Sequence, residues 1–311
     1  GIRMQKKQTI AEAEVEKEKL NVDMYALNDR VNDLYFGILL LDEQIKQNTL
    51  LQDELERNYR QITAYVENGI ANQADLDAVK VEQLNTKQKR IDLVSSRAAY
   101  LKMLSLLVGE ALSPETVLEK PVPQSTVSAV SEIRRPELAL FDAQGAGLQV
   151  QEKALNVRHL PQFGLFVQGA YGNPGLDMLK NEFSPYYIAG VRLSWNFGSL
   201  YTLKNDRRVI EKKRQQLDNN RDIFLFNTRL EMTQQDQAIH SLEKQMRDDD
   251  EIIRLRTNIR KAAEAKVANG TLTVTEMLRE LTNESLARQS KAMHEIQRLM
   301  GIYQLKYTIN D

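Results

Sequence analysis

One sequence unit occurs twice in this chain, 201 residues apart, and few folds accommodate that. Asn68-Gly69 recurs as Asn269-Gly270. At the same offset Lys6-Lys7 meets Arg207-Arg208, Val22 meets Ile223, Tyr25 meets Phe226 and Ile38 meets Ile239. Leu41 meets Leu242, Val66 meets Val267 and Asp75 meets Glu276. Each copy is a long heptad-patterned segment, an Asn-Gly turn and a second helical segment. The repeat therefore predicts two long antiparallel helical hairpins, a device suited to tubes, stalks and spacers.

Heptad spacing supports the helices directly. Leu20, Leu27, Leu34, Leu41, Leu55 and Ile62 share one position, interrupted by Asn48. Met24, Val31, Ile38, Ile45, Tyr59 and Val66 share the other, interrupted by Gln52. Such a/d patterning marks a coiled-coil seam, and a helix over 6–67 would be about 90 Å long at 1.5 Å per residue. The turn at Glu67-Asn68-Gly69 supplies residues that tolerate the left-handed conformation closing a helix. A return helix is expected over 73–108, stopped by Gly109 and Pro114. In the second copy one stripe stays apolar (Leu225, Met232, Ile239, Met246, Ile253). The other turns polar at Arg221, Thr228, Gln235, Asp249 and Arg256, which reads as solvent-facing surface. The second pair is expected over 203–268 and 275–304.

Between the copies the pattern changes. Pro114, Pro121, Pro123 and Ser125 mark a linker over 111–135, and Pro136 pre-sets the first turn of a shorter helix reaching about Val157. Period-two alternation follows. Phe163, Leu165, Val167 and Tyr171 oppose Gln162, Gly164 and Gln168, with Phe166 out of pattern. From Tyr186 to Phe197, Tyr187, Ala189, Val191, Leu193, Trp195 and Phe197 oppose Ile188, Gly190, Arg192, Ser194 and Asn196. Gly172-Asn173-Pro174-Gly175 opens the loop of a hairpin. Apolar-aromatic and polar faces on strands of ten to twelve residues fit either a lipid-spanning barrel strand or a half-buried soluble one. A lone hairpin is marginal, so further strands should pair with it. The expected organisation is a first hairpin over 1–110 with its tip at 68–72, a linker over 111–135 and a helix over 136–160. A β-hairpin over 161–198 and a second helical hairpin over 199–311, tip at 269–273, complete it. The fold class is mainly α.

Composition excludes several function classes. Lys and Arg number 42 against 43 Asp and Glu, so no net basic charge points to nucleic acid. No cysteine is present, which removes disulfides, thiolate metal sites and a cysteine nucleophile. No run of 18 apolar residues provides a transmembrane helix. His159, His240 and His294 are far apart and lack metal-ligand spacing. Asp248-Asp249-Asp250-Glu251 lacks the glycine-bent loop of a Ca²⁺ site and reads as a solvated helix face. Gly145-Ala146-Gly147 follows no strand, so it reads as a close helix contact and not as a phosphate loop. Neither an enzyme nor a bound cofactor or metal is expected.

Taken in order, these segments resemble the TolC family of outer-membrane efflux channels. The residues carrying the resemblance are Arg134-Arg135-Pro136-Glu137-Leu138, Leu160-Pro161 and Trp195-Asn196-Phe197-Gly198. The turns Val66-Glu67-Asn68-Gly69 and Val267-Ala268-Asn269-Gly270 add to them, followed by Asp75 and Glu276. The resemblance implies a homotrimer with a periplasmic tunnel of helices and one shared barrel in outer-membrane lipid of a Gram-negative bacterium. It implies docking to an inner-membrane pump through a periplasmic adaptor, with Gly69, Ile70, Ala71, Gly270, Thr271 and Leu272 as adaptor-contact residues. Asp75 and Glu276 would form an entrance charge ring. Arg279 stands where a second acidic residue is expected, and Leu272 replaces a basic residue that would pair with the equivalent of Asp75. Family members have two strand hairpins per protomer, so a first one is expected upstream of Gly1, the chain being N-terminally truncated. A periplasmic adaptor, which has a single hairpin flanked by β domains, and a coiled-coil scaffold are the competing readings.

Overall fold

A computed structural model of the chain describes residues 2–122, 131–158, 160–173, 175, 176, 179, 181–195 and 197–310. Pro123, Ser125, His159, Pro174 and Asn196 lie outside the described residues. The elements are α1 (Ile2–Glu67), α2 (Gln73–Val108), α3 (Pro136–Arg158), β1 (Gln162–Gly172), β2 (Ser184–Ser194), α4 (Gly198–Ala268) and α5 (Val274–Ile309).

The repeat holds at the level of single residues. α2 and α5 are each 36 residues long, and α5 starts and ends 201 positions after α2. Their N-caps, Asn72 and Thr273, keep the same offset. So do their C-caps, Gly109 and Asn310, both in the left-handed region. α5 thus continues past the expected end at Gln304. Its last turns carry Leu305, Thr308 and Ile309, all buried, so packing extends the helix to its Asn310 cap.

The chain divides into two compact units. The first comprises residues 1–23 and 136–225, the second 24–135 and 226–311. In the second unit the apolar positions of four helices pack in separate clusters. One cluster joins Leu55 and Ile62 of α1, Val79 of α2, Ala263 and Val267 of α4, and Val274 to Leu281 of α5. Others form around Leu34, Ile38, Leu101 and Leu104, around Met232, Ile239, Leu305 and Ile309, and around Phe36, Leu39 and Ile296. Arg97 anchors the start of the linker, bonding Asp42 and the carbonyls of Pro114 and Thr116.

In the first unit α3 lies along α4. Phe141 and Phe224 meet at 5.9 Å between centroids, and Arg214 and Arg221 pair with Glu152 and Asp142. Gly145 brings α3 close to Leu217 of α4. β1 and β2 pair antiparallel, Phe163 opposite Leu193, Leu165 opposite Val191 and Val167 opposite Ala189.

Three expectations need correction. The α1 stripe is buried only from Leu34 onward; Leu20, Met24 and Leu27 are exposed, with none of the described residues covering them. The second stripe of α4 is not simply surface, since Thr228 and Asp249 are buried. β2 ends at Ser194 and not at Phe197. There the chain is already turning into α4, with the Phe197 carbonyl accepting from the Leu200 N–H.

Candidate functional site

Each hairpin turn is built the same way. The N–H of Ile70 bonds the Tyr65 carbonyl and that of Gly69 the Val66 carbonyl; Thr271 and Gly270 repeat this with Lys266 and Val267. These paired bonds form the Schellman closure, which needs a left-handed residue after the cap. Gly69 and Gly270 supply it with φ of 73° and 67°. Their chain neighbours apart, no atom of the described residues lies within 4 Å of where a Cβ would stand. Both glycines, Ile70 and Thr271 are exposed. Ala71 and Leu272 instead pack against the apolar cluster that all four helices share. The two tips therefore sit together at one end of the second unit.

Asp75 and Glu276 have a local task. The Asp75 carboxylate accepts the Asn72 N–H at 3.0 Å, while the Asn72 side chain accepts the Asp75 N–H at 3.1 Å. Glu276 and Thr273 repeat this box at 3.1 Å and 3.3 Å. Such boxes satisfy N–H groups left over at a helix start. Hydrogen bonds from the Thr273 hydroxyl and backbone hold the Glu276 carboxyl below its ordinary range, with Arg279 adding a smaller effect. Leu272, where a basic residue was expected, packs against the shared apolar cluster. Arg279 is exposed and lies 3.5 Å from Glu280.

The strand hairpin presents the second candidate surface. Phe163, Leu165, Val167, Tyr187, Val191 and Leu193 share one face, and all are exposed. Phe166, the residue out of pattern, lies opposite Gly190 on the other face. Its ring fills the space over that glycine, and the Arg192 guanidinium sits 5.5 Å above it.

Two charged groups inside the helical packing escaped the sequence reading. Glu284 is buried on α5 and accepts from Arg260 at 2.5 Å, Arg288 at 2.6 Å and Thr257 at 2.7 Å. Burial alone would raise its carboxyl, but the bonds from Arg288, Thr257 and Arg260 outweigh that and hold it lower. A glutamate seven residues after Met277, on the same stripe, was the available signal. Asp249, within the acidic run taken as solvated, is buried and accepts from His294 Nδ1 at 2.9 Å. Its neighbours do face solvent, Asp250 pairing with Lys291 and Glu251 with Arg254. His240 is exposed beside the Asp236 carbonyl. Among the described residues no cluster could hold a metal ion, and no helix is long and apolar enough to cross a membrane.

No family model matches the chain, and no curated protein matches it in sequence. Solved structures do. The outer membrane protein VceC of Vibrio cholerae superposes with a TM-score of 0.78 at 11% identity, covering 97% of this chain and 74% of its own. The transmembrane channel protein CusC gives 0.78 at 17%, covering 98% and 74%. The Campylobacter jejuni outer membrane channel CmeC gives 0.76 at 11%, covering 99% and 67%. Identities of 11% to 17% speak to architecture alone, and on that ground the chain has the TolC-like fold of outer-membrane channels.

Proposed function

We propose that this chain is a subunit of an outer-membrane channel for efflux or secretion. The observation carrying the reading is the exposed apolar face of β1 and β2 in a chain of this fold. Each such side chain left in water forgoes about 1.5–3 kcal/mol of transfer free energy. Lipid removes that cost, provided the strand edges are paired, since unpaired backbone groups are not tolerated in hydrocarbon. Pairing requires strands from elsewhere, so the reading includes assembly around a shared barrel, as a homotrimer.

Helical surfaces support assembly too. Val81, Leu84, Ile91 and Val94 form an exposed apolar stripe on α2, and Ile252, Leu255 and Ile259 form one on α4. Two different patches suit head-to-tail contacts that close into a ring. The paired glycine turns would then form the periplasmic mouth, with Gly69, Ile70, Ala71, Gly270, Thr271 and Leu272 meeting an adaptor that links to an inner-membrane pump. Asp75, Glu276 and Arg279 would set the charge at the entrance.

Fractionation of Gram-negative cells producing the natural gene product tests the reading. The protein is expected in the outer membrane, extracted by detergent and not by high salt. Leu165→Asp with Val191→Asp should lose that location while keeping the helical circular dichroism. Recovery of the unaltered protein in the soluble fraction, folded, would overturn it.

A further inference from the structure

Arg192 is the only charged residue in either strand of the β-hairpin. It lies on the face that carries Gln162, Gln168 and Ser194, opposite the face that carries Leu165, Val191 and Leu193. It stands near the end of β2, and its register partner near the start of β1 is Gly164. No atom of the described residues, chain neighbours apart, lies within 4 Å of where a Cβ on Gly164 would stand. The space directly across from Arg192 is therefore open. The next residue of β1 on this face is Phe166, and the Arg192 guanidinium lies 5.5 Å from the centre of its ring. The negative face of the ring supports the cation without using its N–H donors. Arg192 is exposed, and among the described residues no carboxylate pairs with it.

We propose that Arg192 selects anionic solutes on the inner face of the strand barrel, with Phe166 holding the guanidinium in place. This rests on the channel reading, in which the apolar face of β1 and β2 meets lipid and the opposite face lines the lumen. A charge on the lipid side of a barrel strand is destabilising, whereas residues on the lumen side tune selectivity. The position of Arg192 obeys that division. The charge recurs once per subunit, so a trimer carries three arginines at one level of the barrel. Rings of Arg or Lys favour anions over cations, and no acid in either strand offsets this one. The open space at Gly164 leaves a solute room to approach the guanidinium. Gln162 and Ser194, the adjoining register pair on this face, add only neutral hydrogen-bonding groups. Salt sets the reach of such a ring. The screening length is about 30 Å at 0.01 M and about 3 Å at 1 M. The influence of Arg192 on passing ions is therefore strong in dilute salt and nearly lost in concentrated salt.

Reversal potentials of the purified natural protein in planar bilayers, under a potassium chloride gradient, test this. At about 0.01 M, Arg192→Gln should lower the chloride-to-potassium permeability ratio severalfold, while Arg192→Lys should keep it. At about 1 M all three proteins should agree. Channels that conduct, yet show the same ratio in dilute salt with glutamine as with arginine, would overturn the proposal and leave the channel reading standing. So would an equal shift in Arg192→Lys, because packing and not charge would then be responsible. Absence of conductance steps from the unaltered protein would overturn the channel reading, and this proposal with it.

Discussion

The Glu276 carboxylate and the Thr273 backbone N–H bond each other at 3.1 Å across the first turn of α5. The acidic residue repeated in both hairpins is therefore accounted for by helix capping, whatever a channel mouth, if the turns form one, would require of it. Capping and charge can be separated by mutation, because glutamine serves at this position of the box and alanine does not. Glu276→Gln should leave amide protection over 274–277 near its original value, and Glu276→Ala should reduce it. Thr273→Ala should lower local stability by about 1 kcal/mol. The lowered Glu276 pKa fixes the sign of the acid effect. Its contribution is present above the ordinary glutamate range and is lost as pH falls through the lowered native value, so protection should decline there in the original protein and not in Glu276→Gln.

The tip glycines allow a similar separation. With φ near 70° at Gly69 and Gly270, any residue with a Cβ other than asparagine or aspartate is strained by about 1–2 kcal/mol. Gly69→Asn with Gly270→Asn should keep the helices intact while placing side chains at the two tips. If the proposed channel reading holds, the corresponding double arginine variant should abolish export while assembly persists. Drug susceptibility of a strain relying on this channel reads both, and unchanged export in the arginine variant would mean the tip is only a turn.

Glu284 sits between Arg260 and Arg288 with its carboxylate almost fully buried. Without the Glu284 charge, Arg260 still keeps Glu264 and the half-exposed Arg288 can turn to solvent, so the loss is of hydrogen bonds to a charged group, about 1.5–3 kcal/mol. Glu284→Gln should cost that much in denaturant unfolding of the second hairpin. Its lowered pKa means the stabilisation is complete above the ordinary glutamate range and is lost as pH falls through the native value. Glu284→Gln should flatten that acid limb. Retention of the full limb in the variant would place the sensitivity elsewhere.

What could be read from the chain was what is encoded locally. The Asn-Gly turns and the alternation in 162–171 each depend on neighbours within a few positions. The fold followed from these because a 201-residue repeat permits few arrangements. Asp249 and Glu284 were both missed, although Glu284 falls on the stripe of Met277. A carboxylate reads as surface by type, and the partner that justifies burying it lies on another helix: His294 on α5 for Asp249, Arg260 on α4 for Glu284. Phe166 was unreadable for the same reason, since the glycine it covers is 24 positions away on the paired strand. The exposed Leu20, Met24 and Leu27 show the converse. Their heptad spacing was plain, but a seam is completed only by whatever packs on it.

The central claim is that β1 and β2 belong in lipid as part of a conducting assembly. Single-channel recording of the purified natural protein in planar bilayers tests it most directly. Discrete conductance steps are expected, absent from Leu165→Asp/Val191→Asp prepared in parallel and shifted in ion selectivity by Asp75→Asn/Glu276→Gln. A folded, detergent-soluble protein that never produces steps, or steps identical in the Leu165→Asp/Val191→Asp variant, would contradict the account.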